Sequence, residues 1–180
     1  MFDHVMIDLE TLDNKPTSAI VSIGAVKFDP KFGKLGDTFY RVVEIESALK
    51  FGTASGSTIK WWMKQSDAAR DVFNMTTLEN VSDLPTALRD FSDWLARTGQ
   101  DFDYKVWGNG ASFDNTILRH AYEQTGIPAP WQFWNDRCYR TFKGMWPQIK
   151  MTKRTGTHHN ALDDAISQAD HLSEILRKLP

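Results

Sequence analysis

The chain has 180 residues and a mass of 20.6 kDa, a size at which one hydrophobic core is the leading expectation. Hydrophobic residues make up 41% and charged residues 24%, without an excess of Gly or Pro, which excludes a collagenous or largely disordered chain. The 21 basic and 23 acidic side chains leave a net charge of −2, so the footprint of a protein that coats nucleic acid by charge is missing.

The first ten residues, MFDHVMIDLE, carry three carboxylates and neither Lys nor Arg, the reverse of a secretory leader. No apolar run approaches the ~18 residues of a membrane span. A cytoplasmic location is expected, and the single cysteine, Cys138, fits it because one thiol forms no internal disulfide. Val5, Ile7 and Leu9 alternate with Met6, Asp8 and Glu10, which predicts a strand with two unlike faces. After a turn at Asp13-Asn14-Lys15-Pro16, the β-rich run 19–28, the turn Asp29-Pro30 and a third strand over 38–43 read as an antiparallel meander. Ser57 is expected to cap a short helix through Trp61, Trp62 and Met63, with another helical stretch over 68–73. Leu84, Leu88, Phe91 and Leu95 recur at helical spacing and predict a helix over 84–97, capped by Ser82. A strand over 104–107, a helix over 115–124, a connection broken by Pro128 and Pro130, and a last helix over 161–179 follow. Strands first, then alternating helices and strands, predict one α/β domain over 1–180 whose mixed central sheet is flanked by helices.

Three stretches carry chemistry. Asp8 and Glu10 share one face of an apolar strand, although Asp and Glu are poor strand formers. Two close carboxylates repel unless a cation lies between them, so the pair reads either as a hard-metal site or as a solvated strand edge. Asp114, in WGNGASFDN, stands where a Gly-rich turn opens a helix. It reads either as a helix-start residue favoured by the dipole or as a further ligand aimed from a strand end. HHNALDDA, residues 158–165, opens the last helix. At ~100° per residue, the apolar face of that helix is centred so that Asp164 lies roughly 110° away at its border, and Asp163 roughly 150° away toward solvent. Asp164 is thus the expected ligand, and Asp163 reads either as a capping-box-like partner or as a dipole-favoured N-terminal charge. His159 precedes the helix on a Gly-containing approach expected to move, as suits a base that must reach a water, and His158 reads as its exposed neighbour.

Asp8-Leu9-Glu10-Thr11, then Asn109-x-x-x-Phe113-Asp114, then His159-x-Ala161-x-x-Asp164 resembles, in this order, the DEDDh group of DnaQ-like 3′-5′ exonucleases. SIGAVKFD and WGNGASFDNTILRHAYE are similar to a small bacterial and bacteriophage branch that includes exoribonuclease-like domains. The resemblance implies a ribonuclease H-like fold. It also implies that Asp8, Glu10, Asp114 and Asp164 bind two Mg²⁺ or Mn²⁺ ions, with His159 as general base. The implied activity is hydrolysis of single-stranded DNA or RNA from the 3′ end, releasing nucleoside 5′-monophosphates. Thr11, Leu12, Trp61, Trp62, Asn109 and Phe113 are the implied substrate contacts, Leu12 as an apolar wedge and one Trp as a stacking partner opposite it. Since several members of that group form dimers, a homodimer is also an expectation.

The segment 137–154 adds Arg137, Arg140, Lys143, Lys150, Lys153 and Arg154 without an acid, so it carries +6 while the remainder carries −8. It reads either as a strand-binding wall or as a solvated basic loop. The competing function is a nucleic-acid-binding module of the same fold without turnover.

Overall fold

In the first strand, β1 (His4–Thr11), Val5, Ile7 and Leu9 enter one hydrophobic core and Met6 enters another on the opposite face, so Asp8 and Glu10 share the face of Met6. The computed structural model describes residues 2–76, 81–96, 103–151 and 154–179. β2 (Ile20–Asp29) pairs antiparallel with β1, and β3 (Lys34–Val42) antiparallel with β2. β4 (Lys105–Gly108) and β5 (Asp136–Cys138) add in parallel, giving a mixed sheet in the order β3-β2-β1-β4-β5.

Helices cover both faces. On one side lie α1 (Ile45–Phe51), α4 (Leu84–Ala96) and α5 (Asp114–Thr125), whose Ala48, Leu88, Phe91, Ile117 and Leu118 meet Val5, Ile7 and Leu9. On the other side α7 (Ala161–Lys178) lies across β1 and β2, with α6 (Tyr139–Met145) beside it. Ala165, Ala169 and Leu172 of α7 pack there with Met6, Val26, Phe28, Trp107 and Tyr139. α2 (Gly56–Trp62) and α3 (Asp67–Met75) close the end of the sheet at which β1 terminates. Among the described residues no helix is long and apolar enough to cross a membrane.

Gly24 explains how α7 reaches the sheet. It stands opposite Asp8 in the β1–β2 ladder, and a Cβ there would lie 2.1 Å from the backbone carbonyl carbon of Ala161. Only a glycine lets the first turn of α7 sit directly on β2, and that seating sets Asp164 beside β1.

Several expectations shift in detail. The short helix is capped by Ser55, not Ser57, because the Ser55 hydroxyl accepts from the Thr58 backbone N–H. Ser82 caps nothing and instead bridges to Val43, while Asp83 accepts from the Thr86 N–H. The predicted end of α4 at Arg97 lies outside the described residues. The buried face of α7 is rotated from its purely apolar stripe, so that Asp164, Gln168 and His171 are inside while Leu162, Ile166 and Leu176 are half-buried. The cause is that α6 and the carboxylates of β1 cover this helix as well as the apolar sheet.

Candidate active site

The C-terminal end of β1, the first turns of α5 and α7, and α2 enclose a cleft of about 510 Å³. Asp8, Glu10, Asp114 and Asp164 all line it. Ligand oxygens of Asp8, Glu10 and Asp164 lie within 4.8 Å of one another. Asp114, first residue of α5, accepts from the Leu9 backbone N–H at 3.2 Å, which ties that helix start to β1. Asp114 is therefore both a helix-start residue and part of the acidic cluster.

The electrostatics follow from this crowding. At an effective dielectric of about 20, two like charges 4 Å apart repel by about 4 kcal/mol. Burial, with added repulsion from Asp114, Glu10 and Asp164, holds the Asp8 carboxyl well above its ordinary range against the hydrogen bond from Gln168. Burial, then Asp164 and Asp114, pushes Glu10 to about 8. Burial lifts Asp114 to about 7, although the N–H groups of Leu9, Asp114 and Asn109 and the charge of Arg140 oppose the rise. Asp8, Glu10 and Asp114, which resist ionisation at neutral pH, together with the adjoining Asp164, make the donor set of a hard divalent cation. The polar shell is also incomplete. Gln168 donates to Asp8 at 2.7 Å, yet its buried Oε1 has no hydrogen-bond partner. Arg154 pairs with Asp164 and supplies a positive charge at the edge of the cluster.

His159 lies at the rim in a left-handed conformation, φ 66°, which a non-glycine residue adopts only when its surroundings impose it. Those surroundings are visible. The backbone N–H groups of Thr155, Thr157 and His159 donate to Ser167 Oγ, Asp163 Oδ2 and Asp164 Oδ2 at 2.8, 2.7 and 2.9 Å. The approach expected to move is therefore pinned to α7 in this structure. Asp163 does not point to solvent: it is half-buried and holds the loop, and a Cβ on Gly156 would lie 2.0 Å from its Oδ2. It resembles a capping box that reaches three residues beyond the cap, Asn160, whose Oδ1 accepts from Leu162 and Asp163. His158 is exposed as expected, but it also stacks on His159 at 3.8 Å and lines the cleft. Burial, with the neighbouring His158 and Arg154, lowers the His159 pKa against the pull of Asp164.

The two tryptophans separate. Trp61 is 42% exposed, lines the cleft and meets the His159 ring edge-on at 4.8 Å. Trp62 also borders the cleft but is 4% exposed, donates from Nε1 to the Thr11 carbonyl at 2.9 Å and packs against Phe73. Thr11, Asn109 and Phe113 line the cleft as expected. Leu12 does not: it is 6% exposed and belongs to the hydrophobic core. The cause is a shift of the β1–β2 register between Glu10 and Thr11, which reverses the alternation so that Thr11 faces the cleft and Leu12 the core.

Sequence reasoning missed Gln168, Asn14, Asp13, Ser57 and Thr58, all of which line the cleft. Gln168 had a legible signal, since it follows Asp164 by four residues on one helix and so shares its face. Of the basic segment, Arg140 and Arg154 reach the cleft.

The model of the Rv2179c-like 3′-5′ exoribonuclease domain matches residues 3–176. The chain belongs to this family. An exodeoxyribonuclease of Enterobacteria phage T4 is 29% identical, over 78% of this chain and 70% of that protein. Among solved structures, the nuclease domain of 3′hExo, a DEDDh family member bound to rAMP, is 17% identical and covers 98% of this chain and 92% of its own, with a TM-score of 0.67. Pop2p of S. pombe, in a Mg²⁺- and Mn²⁺-bound form, is 15% identical, covering 98% and 84%, with a TM-score of 0.65. Exonuclease X in complex with 5′ overhanging duplex DNA is 18% identical, covering 96% and 90%, with a TM-score of 0.60. The fold of this Rv2179c-like chain is thus the ribonuclease H-like fold of the DEDDh nucleases, and its family is one of exonucleases.

Proposed function

We propose that this family member is a divalent-metal-dependent 3′-5′ exonuclease that acts on single-stranded DNA or RNA ends and releases nucleoside 5′-monophosphates. The observation that carries the reading is the convergence of Asp8, Glu10, Asp114 and Asp164, from three separate elements, on one cleft with His159 at its rim.

The donor set suits two Mg²⁺ or Mn²⁺ ions, which these four carboxylates would hold. When bound, such ions stabilise the attacking and leaving oxygens of an in-line displacement at phosphorus. The chain's own groups do the rest. His159, kept neutral by its lowered pKa, takes the proton of the attacking water. The water oxygen bonds to phosphorus, the bond from phosphorus to the 3′ oxygen of the preceding nucleotide breaks, and that oxygen takes a proton from solvent as it leaves, while His159 returns its own proton to solvent. Trp61 offers a face on which the terminal base stacks whatever its identity, and Asn109 and Phe113 border the same space. Arg140 and Arg154 offset the negative charge of the scissile phosphate.

The test is mononucleotide release from a 5′-labelled single strand, run with Mg²⁺ or Mn²⁺ and with a chelator, on matched DNA and RNA. Stepwise shortening from the 3′ end with metal alone is expected. A strand that stays bound but intact would replace this reading with that of a binding module.

A further inference from the structure

Beyond the catalytic cleft, on the far side of Arg154, lies a second concavity of about 510 Å³ between α6 and α7. Lys143, Lys150 and Arg154 line it together with Tyr139, Ile149 and His171, and its described lining includes neither Asp nor Glu. Its floor is built rather than incidental. Tyr139 Oη and His171 Nδ1 are 2.6 Å apart, and His171 Nε2 lies 2.8 Å from the Ile149 carbonyl. A carbonyl only accepts, so Nε2 carries the proton and Nδ1 accepts from the tyrosine. This relay fastens α6, α7 and the chain after α6 to one another.

Lys143 joins the two concavities. Its Nζ donates to Asn109 Oδ1, in the catalytic cleft, at 3.3 Å and lies 4.6 Å above the Tyr139 ring, in the second pocket. Arg154 lines both. Lys143, Lys150 and Arg154 thus gather around a lining without a described carboxylate, and burial, then the charges of Arg140 and Arg154, lowers the Lys143 pKa. A string of phosphates supplies counter-charge.

We infer that this pocket holds the backbone phosphates upstream of the scissile bond, so that the substrate strand leaves the carboxylate cleft past Arg154 and crosses Lys143 and Lys150. The inference rests on the exonuclease reading and narrows its substrate class to strands of several nucleotides over dinucleotides. Each lysine–phosphate contact releases a counterion and adds about 0.7 to the slope of log affinity against log salt for a single strand.

The test is anisotropy with a 5′-fluorescein-labelled ten-nucleotide single strand and a labelled dinucleotide, in Ca²⁺ across a salt series. The variants are K143Q/K150Q, K150Q alone, and K31Q/K34Q as a charge-matched control at the opposite end of the sheet. The double variant is expected to bind the ten-mer about tenfold more weakly and to lose about 1.4 from the salt slope. K150Q alone should lose about 0.7, and the control should lose nothing. An unchanged ratio of ten-mer to dinucleotide affinity, or an equal loss in the control, would overturn the inference. Wild type that binds the ten-mer in Ca²⁺ but releases no mononucleotide when Mg²⁺ or Mn²⁺ replaces it would sink the exonuclease reading, while the affinity ratio still decides the pocket.

Discussion

The two walls of the cleft are made differently. The acidic wall comes from regular elements, with Asp8 and Glu10 on β1 and Asp114 and Asp164 in the first turns of α5 and α7, and three of the four carboxylates are buried. The basic wall comes from short α6 and the irregular chain before α7, where Arg154 is exposed and His159 sits in a left-handed turn. Packing fixes the acids at an electrostatic cost that a cation relieves. The basic side is placed by hydrogen bonds from loop to helix, and its charges stay near water. Removing an acid should therefore end the chemistry, whereas altering the other wall should tune it.

The largest effect is expected for D8A or D164A. Loss of a ligand removes several kcal/mol of charge stabilisation, so mononucleotide release should fall by at least about 10³-fold in a single-turnover assay while the fold persists by circular dichroism. H159A comes next, with kcat lowered about 10²- to 10⁴-fold and KM little changed. Its pH dependence has a definite sign. A base must be neutral, and at saturating metal, where the carboxylates are already deprotonated, the lowered pKa of His159 places the acid limb of kcat below pH 6.5, the ordinary histidine value. An acid limb above that value would contradict the burial argument.

Trp61 and Trp62 sharpen the contrast within one dipeptide. W62A removes a buried ring and should cost about 3–5 kcal/mol of stability, read as a drop in the denaturation midpoint. W61A should leave that midpoint nearly in place and raise KM by the about 1–3 kcal/mol of a lost base stack. The smallest effect is expected for D163A, which frees the Thr157 N–H and loosens the loop that presents His159. Roughly tenfold in kcat is expected, less than the about 10²-fold that a 1 Å misplacement near the chemistry can cost. If D163A and D164A lost equal activity, the separation of holding residue from ligand would be wrong.

Much of the acidic wall was legible in the sequence because regular elements obey simple periods. Strict alternation in β1 put Asp8 and Glu10 together, and helical spacing favoured Asp164 over Asp163. What escaped depends on tertiary context. A register shift after Glu10 reversed Thr11 and Leu12, and no residue type announces it. The phasing of α7 counted only apolar residues, so it took no account of Gln168 and His171, which are buried and help to form that face. The helices α1 and α6, seven residues each, and the three-residue edge strand β5 are too short to carry a period. Asp163 looked solvated because a loop six residues upstream, not its own helix, supplies its partner.

The claim that the acidic wall is a metal site is tested most directly by calorimetric titration of the wild-type protein with Mn²⁺ at pH 7, in two buffers of different ionisation enthalpy. At that pH Glu10, near 8, is mostly protonated and Asp114, near 7, about half protonated, and a divalent ion must displace those protons. Saturable binding with release of about one proton or more, abolished in D8N, is the predicted result. Heats that do not saturate, or binding identical in D8N, would contradict it.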